Sequence, residues 1–138
     1  MKIQRALTIA AAITVCALPL QAQVRPVSAG GSDPSAVLKL TLRQLVVAQE
    51  NYWNGHGTYT TDVAALGMYP PKGGGDSVWV QVVQAGGRSW WGRAVHRGRK
   101  DLSCAIYIGL TEDFTSAPMT DANKTKAQKE GEPICDAF

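Results

Sequence analysis

Two histidines, His56 and His96, are the natural candidates for proton transfer in this chain, because imidazole titrates near neutrality. His56 stands between Gly55 and Gly57, the setting of an exposed loop residue, and His96 falls on a predicted strand beside Arg97. Acidic partners would have to converge from Asp62, Asp76, Asp101 or the tail, and no nucleophile is spaced with a base and an orienting group. Zinc needs grouped His, Cys or carboxylate ligands, which two isolated histidines do not supply. The triplet Gly73-Gly74-Gly75 leads into a strand pattern, whereas a phosphate cradle needs Gly-Lys-Ser/Thr opening a helix. The residue chemistry therefore predicts no enzyme, no metal site and no cofactor.

Aromatic and basic residues are spaced for binding. Trp79, Trp90 and Trp91 fall on adjacent predicted strands, and Arg88, Arg93, Arg97, Arg99 and Lys100 gather around two turns. Successive strand residues point to opposite faces. One of Trp90 and Trp91 therefore belongs to a core, and the other lies nearer solvent if its face is uncovered. Surfaces rich in Trp and Arg are enriched at protein interfaces and also stack on sugars or bases. The expected binding surface takes Trp90 or Trp91 as its aromatic anchor and Arg93, Arg97 and Arg99 as polar contacts. The cluster is small and the tail acidic, which argues against nucleic acid.

The N-terminus bears on compartment. Lys2 and Arg5 precede an apolar run over residues 6–20, followed by Gln21-Ala22-Gln23, the layout of a secretory signal peptide spanning residues 1–23. The run is about 15 residues, short of the ~20 that span a bilayer as a helix. Removing it takes two of the 14 Lys and Arg, leaving them nearly balanced against 11 Asp and Glu, so the formal charge of +3 overstates the basic character. Cys16 leaves with the signal. Cys104 and Cys135 remain, and an even pair in an exported domain reads as a disulfide. The expected product is an exported domain, periplasmic or extracellular, with no transmembrane span.

These residues need a scaffold, and the remaining pattern supplies one. Residues 24–32 read as a flexible leader and residues 33–138 as a single domain. Asp33 suits an N-cap and Pro34 the first helical position. Leu38, Leu42, Leu45, Gln49 and Tyr52 then share one helical face, widened by Val46 and Trp53, until Gly55 and Gly57 stop the helix. Val37, Leu40 and Val47 lie off that stripe and are left either for a second covering layer or for a partner. Residues 63–66 suit a short helical turn, and residues 69–75 are too rich in Pro and Gly for regular structure. Strand patterns at 77–84, 89–96 and 102–108 alternate apolar and polar residues across Gly-rich and charged turns, as a meander does. The expected fold is α+β: one N-terminal amphipathic helix on a three- to four-stranded antiparallel sheet, burying a single sheet face. A mostly polar tail returns from Gly109 to Cys135, and its Asn123-Lys124-Thr125 sequon suits an exposed segment.

Residues 45–67 resemble the type IV pilins and pseudopilins where the first helix enters the globular head, at Ala48, Gln49, Tyr52, Gly57, Tyr59, Thr60, Leu66 and Gly67. The ending around Pro133-Ile134-Cys135-Asp136 resembles the C-terminal loop that a second Cys pins to a sheet strand in that family. The prepilin Gly-Phe-Thr-Leu-Ile-Glu motif and the apolar helix after it are missing from this sequence. The resemblance thus implies a pilin-like head exported without its polymer-forming half. It implies a non-enzymatic structural or adhesive accessory of a cell-envelope filament or secretion apparatus, with pilin or secretion-system subunits as partners. The alternative is a stand-alone secreted module that binds carbohydrate or peptide through the Trp/Arg hairpin.

Overall fold

The computed structural model describes residues 33–68 and 77–136. The expected signal peptide, the leader and the Pro/Gly-rich stretch at 69–75 lie outside the described residues. Helix α1 (Pro34–His56) starts where the sequence places it. Asp33 accepts hydrogen bonds from Ser35 N at 3.0 Å and Ser35 Oγ at 2.7 Å. It stops at Gly57, which adopts φ 70° and returns its N–H to Trp53 O at 2.7 Å. Leu38, Leu42, Leu45 and Gln49 are fully buried, so the predicted stripe is the packed one. Each of those leucines contributes about 1.5–3 kcal/mol by leaving water.

Gln49 is a buried amide with a defined use. Its Nε2 donates to Thr60 O at 2.6 Å and its Oε1 accepts from Thr60 N at 3.1 Å, as a neighbouring strand would. This pins the chain after the helix. Tyr59, next to it, donates its hydroxyl to Glu50 Oε1 at 2.9 Å and its N–H to Gly86 O at 3.0 Å. Burial first, then the Glu50 carboxylate, pushes the Tyr59 pKa up to about 12. Residues 63–67 make turns in place of the expected helical turn, with Asp62 Oδ1 accepting from Ala64 N and Ala65 N.

The sheet runs in the order β1 (Val78–Ala85), β2 (Trp90–His96), β3 (Arg99–Ile108), β4 (Ile134–Cys135), all neighbours antiparallel. A bulge at Val82/Gln84 shifts the β1–β2 register. Val78, Val80, Val82, Trp90, Ala94, Leu102, Cys104 and Ile106 form one core with the helix leucines. Gly92 lets the layers close up: a Cβ there would come within 2.7 Å of Gln81 O and 3.3 Å of Leu45 Cδ2.

The opposite sheet face is also covered, contrary to the single buried face expected from sequence. Trp91, Tyr107 and Ala127 form a second buried cluster with Val83, Phe114 and Ile134 against it. Leu102 to Tyr107 are accordingly buried in succession, with no alternation. The tail supplies this cover. Asp113, in a 3-10 turn over Thr111–Asp113, accepts from Ser89 Oγ at 2.8 Å, and its carbonyl accepts from Gln84 Nε2 at 2.9 Å.

Two adjacent residues fasten the tail's end. Cys135 bonds to Cys104, its direct ladder partner, with Cα atoms 4.0 Å apart. Asp136, 3% exposed, accepts from Ser103 N and Oγ, Thr120 Oγ1, Asn123 N and Thr125 Oγ1. Burial alone would push this carboxyl up. The hydrogen bonds from Thr120, Ser103 and Asn123 outweigh that and hold it below its ordinary value.

Because the folded Asp136 pKa is depressed, its stabilisation is present above the ordinary carboxylate pKa of about 3.9 and is lost as pH falls through the lower folded value. Asp136→Asn should cost about 2 kcal/mol at pH 7, since an amide N–H would then face donors. It should also flatten the loss of stability between pH 5 and 2. Urea midpoints across that range, for both proteins, check the sign and the size. Reducing the Cys104–Cys135 bond should lower stability by about 3–4 kcal/mol, read by the same unfolding assay with and without reductant.

Candidate interaction surface

The residues singled out for binding do not form one surface. Trp90 is completely buried on the helix face, against Tyr59 with ring centroids 6.4 Å apart. Trp91 is 3% exposed on the other face, beneath the tail. The sequence requirement that they point to opposite faces holds, but the tail covers the face that was to be open. Neither ring is therefore available as an aromatic anchor. No described residue accepts a hydrogen bond from either indole N–H, so both rings are held by packing.

The arginines are also separated. Arg93 lies mostly inside, pairing with Asp121 at 2.6 Å and donating Nε–H to Gln81 Oε1 at 3.1 Å. Arg97 is exposed in the β2–β3 turn and donates its N–H to Ser77 O at 2.7 Å. Arg99 pairs with Asp101 at 3.0 Å, and that hydrogen bond holds the Asp101 carboxyl below its ordinary value.

The exposed large apolar side chains lie elsewhere. Trp79 is 42% and Trp53 39% exposed, and Trp53 Nε1 donates to Gly87 O at 2.8 Å. Trp79 sits on the tail side of the edge strand, on the same face as Gln81 and its partner Arg93. Leu40 and Val47, set off the packed stripe, are 50% and 61% exposed on α1. Leu40, Gln44, Val47 and Asn51 follow one another at helical spacing and make a second ridge along the helix.

Val47 borders a groove of about 540 Å³ between α1 and the turns at 63–68, with Gln44, Asn51, Tyr52, Leu66 and Met68 among its lining residues. The Gln44 Oε1 is shielded from solvent without a hydrogen-bond partner. His56 also borders the groove, stacked on Tyr52 at 3.9 Å with its Nδ1–H directed to Tyr52 O at 2.9 Å. That bond leaves Nε2 as the free ring nitrogen.

Among the described residues, no three His, Cys, Asp or Glu side chains gather as a metal-binding group. No helix among them is long and apolar enough to cross a membrane. Sequence reasoning named Leu40 and Val47 as apolar residues off the stripe, and it grouped Trp79 with the other tryptophans without separating it from them. The separating signal was local. Trp79 alternates with Val78 and Val80, which places it opposite the helix near the edge of the sheet. The tail's apolar residues lie around the other end of that face, near Trp91 and Tyr107.

Replacing Trp53 and Trp79 by Phe should remove most of the acrylamide-quenchable tryptophan emission, leaving a shielded signal from Trp90 and Trp91. Trp91→Ala should instead cost about 3–5 kcal/mol in urea unfolding, as expected for a core ring. Among known proteins, no family model matches the chain, and no curated protein matches it.

Proposed function

We propose that this chain is an exported, non-enzymatic, pilin-like domain that works by surface contact, as a structural or adhesive accessory of a cell-envelope filament or secretion apparatus. The observation that carries this reading is the two-sided use of α1. One stripe packs on the sheet, while Leu40 and Val47 are exposed on the helix and Val47 borders the groove. The order of helix, Tyr59 loop, meander and Cys-closed tail supports the same reading, as does the resemblance at Gln49, Tyr52, Gly57 and Tyr59. A disulfide joining Cys104 to Cys135 fits an oxidising compartment and so fits export.

The carboxylates support the absence of catalysis, since many are committed to structure. Glu50 holds Tyr59, Asp113 holds Ser89, Asp121 holds Arg93 and Glu130 accepts from Gly109 N at 2.7 Å. A second reading, a stand-alone module for glycan or peptide, draws on Trp79, an exposed indole beside the planar amide of Gln81.

A photo-crosslinking residue at Val47, in the exported protein, tests the first reading. Crosslinks to pilin or secretion-system subunits support it, and Leu40→Glu should abolish them while leaving the free energy of urea unfolding within about 0.5 kcal/mol of the unsubstituted protein. Glycan retention that depends on Trp79, with no protein crosslink at Val47, would move the assignment to the second reading.

A further inference from the structure

The sequon Asn123-Lys124-Thr125 lies in the tail, and the structure sets it at the tip of a tight loop. Thr120 N donates to Thr125 O at 2.9 Å and Ala127 N donates to Pro118 O at 2.9 Å, with Met119 and Lys126 bridged between those bonds. Asp121, Ala122, Asn123 and Lys124 then turn the chain. Lys124 does so at φ 54°, a backbone conformation that few residues other than glycine adopt.

The loop has an inner and an outer side. On the inner side, Asp136 Oδ1 accepts from Asn123 N at 3.2 Å and from Thr125 Oγ1 at 3.3 Å. Ser103 Oγ accepts from Asp121 N and Ala122 N beside them. Asn123 and Lys124 are exposed, and no described residue hydrogen-bonds to the Asn123 carboxamide. An exposed asparagine with a hydroxyl two residues on, and a residue other than proline between, is the acceptor of N-linked glycosylation.

We propose that Asn123 is the attachment site of an N-linked glycan, and that docking of Asp136 closes this site to transfer. The inference rests on the export half of the proposed role, because such transfer takes place on the exported side of a membrane; it does not depend on pilin-like assembly. Asn123 Nδ2 forms a bond to the anomeric carbon of an oligosaccharide carried on a polyprenyl pyrophosphate. The bond from that carbon to the phosphate oxygen breaks, the lipid pyrophosphate leaves with the electron pair, and the amide nitrogen loses one proton to a base of the transferase.

The fold accommodates the product and limits when it forms. A glycan on Nδ2 projects from the exposed side of the loop, and the Asn123 N–H to Asp136 survives. Before the tail is fastened, the sequon is free to extend and Thr125 Oγ1 is free to be recognised. In the finished domain that hydroxyl is held by Asp136 and Lys124 is bent, so extending the sequon requires Asp136 to let go. Asp136 lies 13 residues after Asn123, next to the cysteine that must reach Cys104. Transfer therefore precedes closure of the tail.

The test is mass spectrometry of the full chain isolated from the cells that make it. The peptide containing Asn123 should be heavier by a whole number of sugar residues. Asn123→Gln and Thr125→Ala should remove the added mass, and Thr125→Ser should keep it. Asn123→Gln retains the backbone N–H and should leave urea unfolding unchanged, which separates a lost acceptor from a lost fold. Membranes of the same cells, supplied with lipid-linked oligosaccharide, should modify unglycosylated Asp136→Asn about tenfold faster than the unsubstituted folded chain. A disulfide-bonded chain that lacks residues 1–23 and carries unmodified Asn123 overturns the proposal while leaving export standing. A chain that keeps those residues and free thiols overturns both. Equal transfer to the unsubstituted chain and Asp136→Asn overturns the closing role of Asp136.

Discussion

The fold depends on how the end of the chain is joined to β3. Ser103 and Cys104 are consecutive and point to opposite faces of the sheet, as do Cys135 and Asp136 in the segment beside them. The disulfide therefore closes on the helix side, while the Asp136 carboxylate takes Ser103 on the tail side. Two neighbouring residues thus fasten one strand on both faces at once. The carboxylate does more than close a pair. Thr120 and Thr125 donate to the same oxygen, and Ser103 Oγ accepts in turn from Asp121 N at 2.7 Å and Ala122 N at 3.1 Å. The tail is shaped around this buried charge, which is affordable only because donors surround it.

Covering both faces changes what a small domain can bury. A meander packed on one helix would expose a whole sheet face, and the indole of Trp91 would be wet. With the tail in place, Trp90 and Trp91 anchor separate cores back to back through the same strand. Charged groups are drawn into this arrangement as fasteners. Asp113 ties the tail to Ser89 at the start of β2, and Arg93 ties it to Asp121 from the middle of β2.

The parts of this structure that were legible in the sequence are those governed by local period. The stripe of Leu38, Leu42 and Leu45, the cap at Asp33, the stop at Gly57 and the alternation of Val78, Val80 and Val82 each repeat within a turn or a pleat. The Cys pair was legible from count and context. The tail's role was not, because Phe114, Ala127 and Ile134 are too far apart to show a period, and their partners lie across the sheet. The bonds from Ser103 to Asp136 span 33 residues of sequence. The misplacement of the binding surface followed from that gap. The rule of opposite faces was correct for Trp90 and Trp91, but which face meets solvent is set by a segment without local pattern.

With both faces of the sheet covered, α1 still carries an apolar ridge at Leu40 and Val47 without a covering layer among the described residues. A ridge of this kind favours another apolar side-chain surface. Leu38, Leu42 and Leu45 face the sheet while Leu40 and Val47 face away from it, so the helical period that builds the core also sets what the helix presents outward.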